Sequence, residues 1–230
     1  MPLILNIETA TQVCSVGLSE GERMLAIRES HEKNIHAASV TVFTEEVLKQ
    51  AGRQMGDLDA VAVSMGPGSY TGLRIGVSAA KGIGYALEIP LIAVPTLQSM
   101  TLGARELASE DITLFCPMID ARRMEVYTAL FDRNNQQVRP TEAMIIDADS
   151  FSGERKGNTI CYFGDGAEKC REVLDPLGMI FLVDVFPTAG TLAKLSYKKF
   201  ISAQFEDIAY FEPFYLKDFI AGKPKVKGLE

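Results

Sequence analysis

Gly66-Pro67-Gly68-Ser69-Tyr70-Thr71-Gly72-Leu73-Arg74 lies between the apolar run Ala60 to Met65 and the small-residue segment from Ile75 to Leu87. Read in order, these are a strand, a glycine-rich turn and a helix, the unit from which α/β nucleotide folds are built. Glycines let backbone N–H groups approach a ligand closely. The first turn of the following helix adds unpaired N–H groups and the positive end of its dipole. Gly66, Gly68, Ser69, Thr71 and Gly72 are therefore the expected contacts for a phosphate or nucleotide. The loop nevertheless matches neither GxxxxGK[ST] nor GxGxxG, and it has no phosphate lysine. Either it binds in another way or it no longer binds.

The 230 residues, 47% hydrophobic and 23% charged, suit one large domain or two small lobes with real cores. A formal net charge of -7 argues against a protein that grips nucleic acid by itself, which needs clustered Lys and Arg. The one short basic cluster, Lys223, Lys225 and Lys227, reads as a solvated terminal tail. Cys14, Cys116, Cys161 and Cys170 show no CxxC spacing and sit in apolar stretches, as buried free thiols of a reducing compartment do. Strand-like sequence starts at Leu3, which leaves no room for a signal peptide. The apolar stretch Ile75 to Val94 is broken by Lys81, Glu88 and Pro90, so no membrane span is expected and the cytoplasm is the expected compartment.

Apolar patterning predicts strands at Leu3 to Glu8, Val13 to Leu18 and Met24 to Arg28, joined as an antiparallel meander. A helix from about Ile35 to Ala51, closed by Gly52, leads to strand Ala60 to Met65. After the glycine loop come a helix Thr71 to Leu87, a strand Leu91 to Val94 and a helix opened by Thr96. The pattern restarts near residue 109, with strands Leu114 to Asp120, Glu125 to Phe131, Val138 to Ile146 and Ile160 to Phe163. A helix starting near Thr188 carries Leu192, Leu195, Phe200, Ile201 and Phe205 on one side. The expected architecture is a two-lobed α/β fold of duplicated β-β-β-α-β-α units, of the actin, sugar kinase and Hsp70 type, with lobes at residues 1–108 and 109–230 and a cleft between them.

Several polar residues admit two readings. Glu8, at the end of the first strand, either holds a metal or orients a water, or it caps the turn that follows. His31 and His36 are five apart and do not share a helical face, so no metal pair is expected, and His36 is placed at a surface or interface. Asp120, Arg122, Arg123 and Glu125 form either an ion-paired hinge or a wall of the cleft, and Gly164-Asp165-Gly166 either a nucleotide-binding or a simple turn. On the helix from Ile35, Val40, Phe43 and Val47 recur at helical steps, while Ile35, Ala38 and Val42 widen the apolar surface, so that core packing explains one face and the other is expected to meet a partner. Gly76, Ala79, Ala80, Gly82, Gly84 and Ala86 of the next helix permit close approach by a neighbouring helix, within the lobe or across a dimer.

Ile7-Glu8-Thr9-Ala10, the stretch Gly66 to Gly76, Ile119-Asp120-Ala121-Arg122 and Glu212-Pro213-Phe214-Tyr215-Leu216 together resemble the TsaB (YeaZ) family over nearly the whole chain. The resemblance implies a non-catalytic subunit of the machinery that makes N6-threonylcarbamoyladenosine at position 37 of ANN-decoding tRNAs. It implies pairing with a TsaD-like catalytic paralogue, an approach by a TsaE-like ATPase, a homodimer when alone, and tRNA contact only through the complex. No tightly bound cofactor is implied, with ATP or ADP entering at the level of the complex. The paralogue carries a His-x-x-x-His metal pair where this chain has Thr96 and Met100, neither of which replaces imidazole at a divalent metal. The implied interface is Ile35, His36, Val40, Phe43, Val47, Ala79 and Ile83. Two alternatives remain: an autonomous phosphotransferase or ATPase using Glu8 and Asp120, and a metallopeptidase, which the residues at 96 and 100 disfavour.

Overall fold

The computed structural model describes residues 1–32 and 36–217. The Lys223, Lys225 and Lys227 cluster and Ile35 therefore lie outside the described residues. Strand β1 (Leu3–Glu8) runs antiparallel to β2 (Cys14–Glu20), which pairs with β3 (Arg23–Ser30). Helix α1 (His36–Ala51) ends at Gly52, whose φ of 65° is the left-handed stop that glycine supplies. Strand β4 (Ala60–Gly66), helix α2 (Tyr70–Leu87), strand β5 (Leu91–Pro95) and helix α3 (Thr96–Leu107) follow. The second set is β6 (Leu114–Asp120), β7 (Glu125–Asp132), β8 (Gln137–Ile145), β9 (Ile160–Phe163), a short α4 (Arg171–Leu174), β10 (Ile180–Phe181) and α5 (Ala189–Ile201).

The duplication is explicit in the sheets. One has the order β3-β2-β1-β4-β5 and the other β8-β7-β6-β9-β10, each an antiparallel meander whose first strand also pairs in parallel with the fourth. The expected two-lobed α/β architecture is the one found. In the second unit, turns over residues 147–157 stand where the first has its long α1.

The nearly continuous apolar β1 is explained by cover on both faces. Leu3, Leu5 and Ile7 pack with Val40, Val47, Val77 and Ala80 of α1 and α2, while Ile4, Ala60, Ala62, Ile92 and Val94 pack with Leu192 of α5. Asn6 points to the same side as Ile4, and its Oδ1 accepts a 2.7 Å hydrogen bond from Ser196 Oγ on α5. Helix α5 starts at Thr188 as expected, the Thr188 and Thr191 side chains forming a capping box. Its apolar side is narrower than the sequence suggests, because Ile201 is 63% exposed and Phe205 lies beyond the helix, edge-on to Phe200. Helix α3 from the first half covers the second sheet instead, with Leu97, Met100 and Ala104 against Phe115, Phe131 and Phe163. The helices thus cross between the halves that the sheets define.

This exchange predicts that a fragment ending at residue 108 leaves Ile4, Ala62 and Val94 uncovered and does not fold, which circular dichroism of the fragment checks. In the full chain, Leu192→Ala should cost about 3 kcal/mol in urea unfolding, since the side chain is fully buried between α5 and the first sheet.

Candidate functional site

The glycine loop closes onto its own protein. A Cβ built on Gly68 would fall 2.3 Å from the Ala10 carbonyl oxygen, one on Gly72 would fall 2.1 Å from the Thr9 carbonyl oxygen, and one on Gly76 would fall 2.2 Å from Thr9 Oγ1. Hydrogen bonds fix the same contact: Ser69 N–H donates to Ala10 O at 2.7 Å, and Thr9 Oγ1 donates to Gly72 O at 2.8 Å. Ser69 caps α2, its Oγ accepting from Gly72 N–H at 3.3 Å. Gly66, at φ 112°, has its open side against the Phe214 carbonyl oxygen, and its N–H donates to Thr96 Oγ1 at 3.1 Å. Phe214 N–H in turn donates to Met65 O at 2.7 Å. Of the five residues singled out as phosphate contacts, Gly66, Ser69 and Gly72 thus donate their N–H groups to protein acceptors, while the Thr71 side chain is exposed.

Glu8 is fully buried, and the turn-capping reading describes its geometry. Its Oε1 accepts from Ala10 N–H and Ser64 Oγ, each at 2.7 Å, while Oε2 has no hydrogen-bond partner among the described residues. Burial pushes the carboxyl up to about 7, the hydrogen bonds from Ala10 and Ser64 only partly opposing it. Among the described residues no group of three or more His, Cys, Asp or Glu is placed to hold a metal ion. Thr96 and Met100 are both fully buried: Thr96 accepts the Gly66 N–H, and Met100 packs into the second lobe's core.

A cleft lies between the two sheets at the start of α2. One cavity, of about 450 Å³, is lined by Thr11, His36, Ser69, Thr71, Asp120 and Asp165, among others. His36 is held there by a 2.9 Å hydrogen bond between its Nε2 and Thr11 O, and burial pushes the half-buried Asp165 carboxyl up to about 6. A second cavity, of about 480 Å³, opens beside the first, between Ser69 to Thr71, Asp120 to Arg122, Tyr127, Tyr215 and Lys217. Asp120 and Arg122 thus meet the loop in the cleft, while Arg123 and Glu125 line neither of these two cavities. Ion pairs add two residues that the sequence did not mark: Lys169 with Asp120, and Lys217 with Glu125. No local signal singles out Lys169, whereas Lys217 directly follows the Glu212 to Leu216 motif. His31 lies apart, edge-on to Phe186.

The helical face needs correction. Val40 and Val47 are 2% and 0% exposed and belong to the core under the first sheet, so neither reaches a partner, and His36 is tied to Thr11. Phe43, Ala79 and Ile83 are partly buried against that core and partly open. Val42, which the sequence places on the wider apolar surface, is 50% exposed, and on α2 Tyr85 is 79% exposed and Gly82 is exposed one turn before it. Among the described residues no neighbour lies within 4 Å of a Cβ on Gly82, whereas Gly72 and Gly76 are crowded by Thr9.

The family model described as TsaD, tRNA N6-adenosine threonylcarbamoyltransferase, matches residues 29–159. The Escherichia coli tRNA threonylcarbamoyladenosine biosynthesis protein TsaB is 29% identical over 99% of both chains. The corresponding protein of Bacillus subtilis is 32% identical over 62% of each chain. Among solved structures, a Pseudomonas aeruginosa protein described as similar to peptidase YEAZ superposes with a TM-score of 0.81 at 22% identity, over 94% of this chain and all of its own.

Two outcomes follow from the loop and from Glu8. Gly72→Ala and Gly76→Ala should each destabilise by roughly 3 kcal/mol through overpacking, whereas Gly82→Ala should stabilise by up to about 1 kcal/mol; thermal unfolding of the three variants checks the order. A carboxyl raised from 4.5 to about 7 favours the folded state while protonated, so its contribution is present below pH 4.5 and is lost as pH rises to about 7. Urea unfolding between pH 5 and pH 8 should show that fall, on the order of 3 kcal/mol at most, and Glu8→Gln should flatten it.

Proposed function

Because the chain belongs to the TsaD family, we propose that it is the non-catalytic subunit of a tRNA-modifying assembly. In this reading it is required for threonylcarbamoyl transfer to adenosine 37 of ANN-decoding tRNAs and works in the cytoplasm. Among the described residues no helix is long and apolar enough to cross a membrane. Its role is to hold and activate a TsaD-like catalytic relative and to help bring in a TsaE-like ATPase, self-pairing when alone.

The observation that carries this reading is the state of positions 96 and 100. Where the resemblance puts two metal-binding histidines, Thr96 holds the Gly66 amide and Met100 fills a core, so both side chains have structural tasks. A threonine hydroxyl and a thioether offer no adequate ligand pair for a catalytic divalent metal. Glu8 points the same way, since its one bonded oxygen organises the Thr9–Ala10 turn. A buried carboxyl with a pKa near 7 is a poor fixed charge for a metal-bound nucleotide.

Helices α1 and α2 supply the partner surface. They pack side by side on the first sheet and leave outward Val42, Tyr85 and the open flank of Gly82, flanked by half-open Phe43, Ala79 and Ile83. An exposed glycine inside a helix costs up to about 1 kcal/mol relative to alanine, and no described neighbour would stand within 4 Å of a Cβ at Gly82. Close approach of a partner's backbone gives it a reason.

Reconstitution tests this: the catalytic relative and the ATPase should modify tRNA only when this chain is added. Gly82→Arg with Val42→Asp should reduce that stimulation by at least roughly tenfold while the melting temperature of the isolated chain stays within a few degrees. Modification that proceeds equally without the chain would overturn the proposal.

A further inference from the structure

Helix α2 ends against the usual chemistry of helix ends. Glu88 stands just past Leu87 at φ 55°, the left-handed position that glycine most often fills there, and its N–H closes the last turn onto Gly84 O. Its carboxylate therefore sits at the negative pole of the helix, where a cation is the favoured neighbour. The last turn of α2 carries no basic residue. Helix α1 has the ordinary arrangement, with Gly52 as its left-handed stop and Lys49 in its last turn. Glu88 is exposed and has no ion-pair partner among the described residues. Ile89 N–H returns to the same Gly84 carbonyl and Pro90 has no N–H, so the residues leaving the helix give its remaining terminal carbonyls no donor. A carboxylate set against the helix dipole, in a conformation that glycine adopts more readily, breaks a local rule with no gain inside the chain. Such departures mark contacts made elsewhere.

Around Glu88 the surface forms an open pocket of about 650 Å³, lined also by Tyr85, Ala86, Ile89, Pro90 and Ile208. Ile208 packs over Gly84, where a Cβ would fall 3.1 Å from its Cδ1. The Tyr85 ring is exposed, and Lys81, one turn before it, is tied to the Ala209 and Phe211 carbonyls at 3.2 and 3.0 Å. The pocket thus combines aliphatic walls, an open aromatic ring and an uncompensated negative end. These suit one occupant, a long basic side chain, its methylene stem along Ile89, Pro90 and Ile208 and its charge at Glu88, the helix end and the Tyr85 ring. An acidic group would be repelled there, and a wholly apolar one would cover Glu88 without pairing it. Gly82, Tyr85 and Ala86 are three and four residues apart on α2, so the pocket is continuous with the open flank of Gly82. We propose that this pocket receives an arginine or lysine side chain of the protein that docks on α1 and α2. The inference rests on the preceding section for the existence of that partner, and on Glu88 and its pocket for the chemistry.

The test is the affinity of the full chain for its TsaD-like catalytic relative, measured by titration calorimetry at rising salt. Affinity should fall as salt rises, and Glu88→Gln should lower it at least roughly tenfold and flatten that dependence. Glu88→Lys should weaken binding further while the melting temperature holds or rises, because a cation suits the helix end, so that loss of fold does not account for the weakening. Tyr85→Ala should weaken binding roughly tenfold, and Tyr85→Phe, which keeps the ring face, should bind as the unaltered chain does. Reversing the charge of one exposed Arg or Lys on the relative should restore its binding to the Glu88→Lys chain. Full binding by Glu88→Gln and Glu88→Lys, with tRNA modification still stimulated, would overturn the inference and leave the subunit role standing. Substitutions that break self-association of the chain and spare binding of the relative would assign the pocket to a second copy and overturn it as well. An unaltered chain that does not bind the relative, with modification independent of it, would overturn both readings.

Discussion

The contact on which the rest of the structure depends is the one between the Thr9–Ala10 turn and the bare α-carbons of Gly68, Gly72 and Gly76. Three glycines let two backbones meet where side chains would collide, and the Ser69–Ala10 and Thr9–Gly72 hydrogen bonds lock the approach. Glu8 holds the other side of that turn by accepting the Ala10 amide. Helix α2 is thereby fixed against the end of β1, and its opposite flank is set outward. The same joint takes in Phe214 at Gly66, so the loop, the first turn and the C-terminal motif form one packed unit.

Much of the fold was legible because its signals are local. Alternating and continuous apolar runs marked the strands of both sheets, and Gly52 and Thr188 marked helix ends by their capping chemistry, whereas Ser69 was not read as the cap it is. What pattern could not supply was which surface each face meets. Val40 and Val47 look like any helical stripe, and only the packing of α1 on β2 and β3 shows that they are core. The crossing of α3 and α5 between sheets is likewise a long-range fact, fixed by contacts such as Asn6 with Ser196, which lie far apart in the chain.

The candidate site was legible as a set of motifs and misleading as chemistry. Glycine permits a ligand to approach and equally permits another backbone to do so, and the sequence around Gly66 to Gly72 does not distinguish the two. The distinguishing residues, Thr9 and Ala10, carry no functional signature of their own. Of the motifs that carried the resemblance, Gly66 to Gly76 and Glu212 to Leu216 meet in space, with Tyr70 against Tyr215. That meeting explains their shared presence as a structural requirement.

The most direct measurement is amide hydrogen exchange across residues 66–72 in the isolated chain, with and without ATP. An internal joint predicts that the Ser69 and Gly72 amides exchange slowly in the free protein and that ATP leaves them unchanged, since their acceptors are Ala10 O and Ser69 Oγ. Fast exchange at these amides in the free chain, slowed when ATP is added, would contradict the account and restore the loop as a ligand cradle.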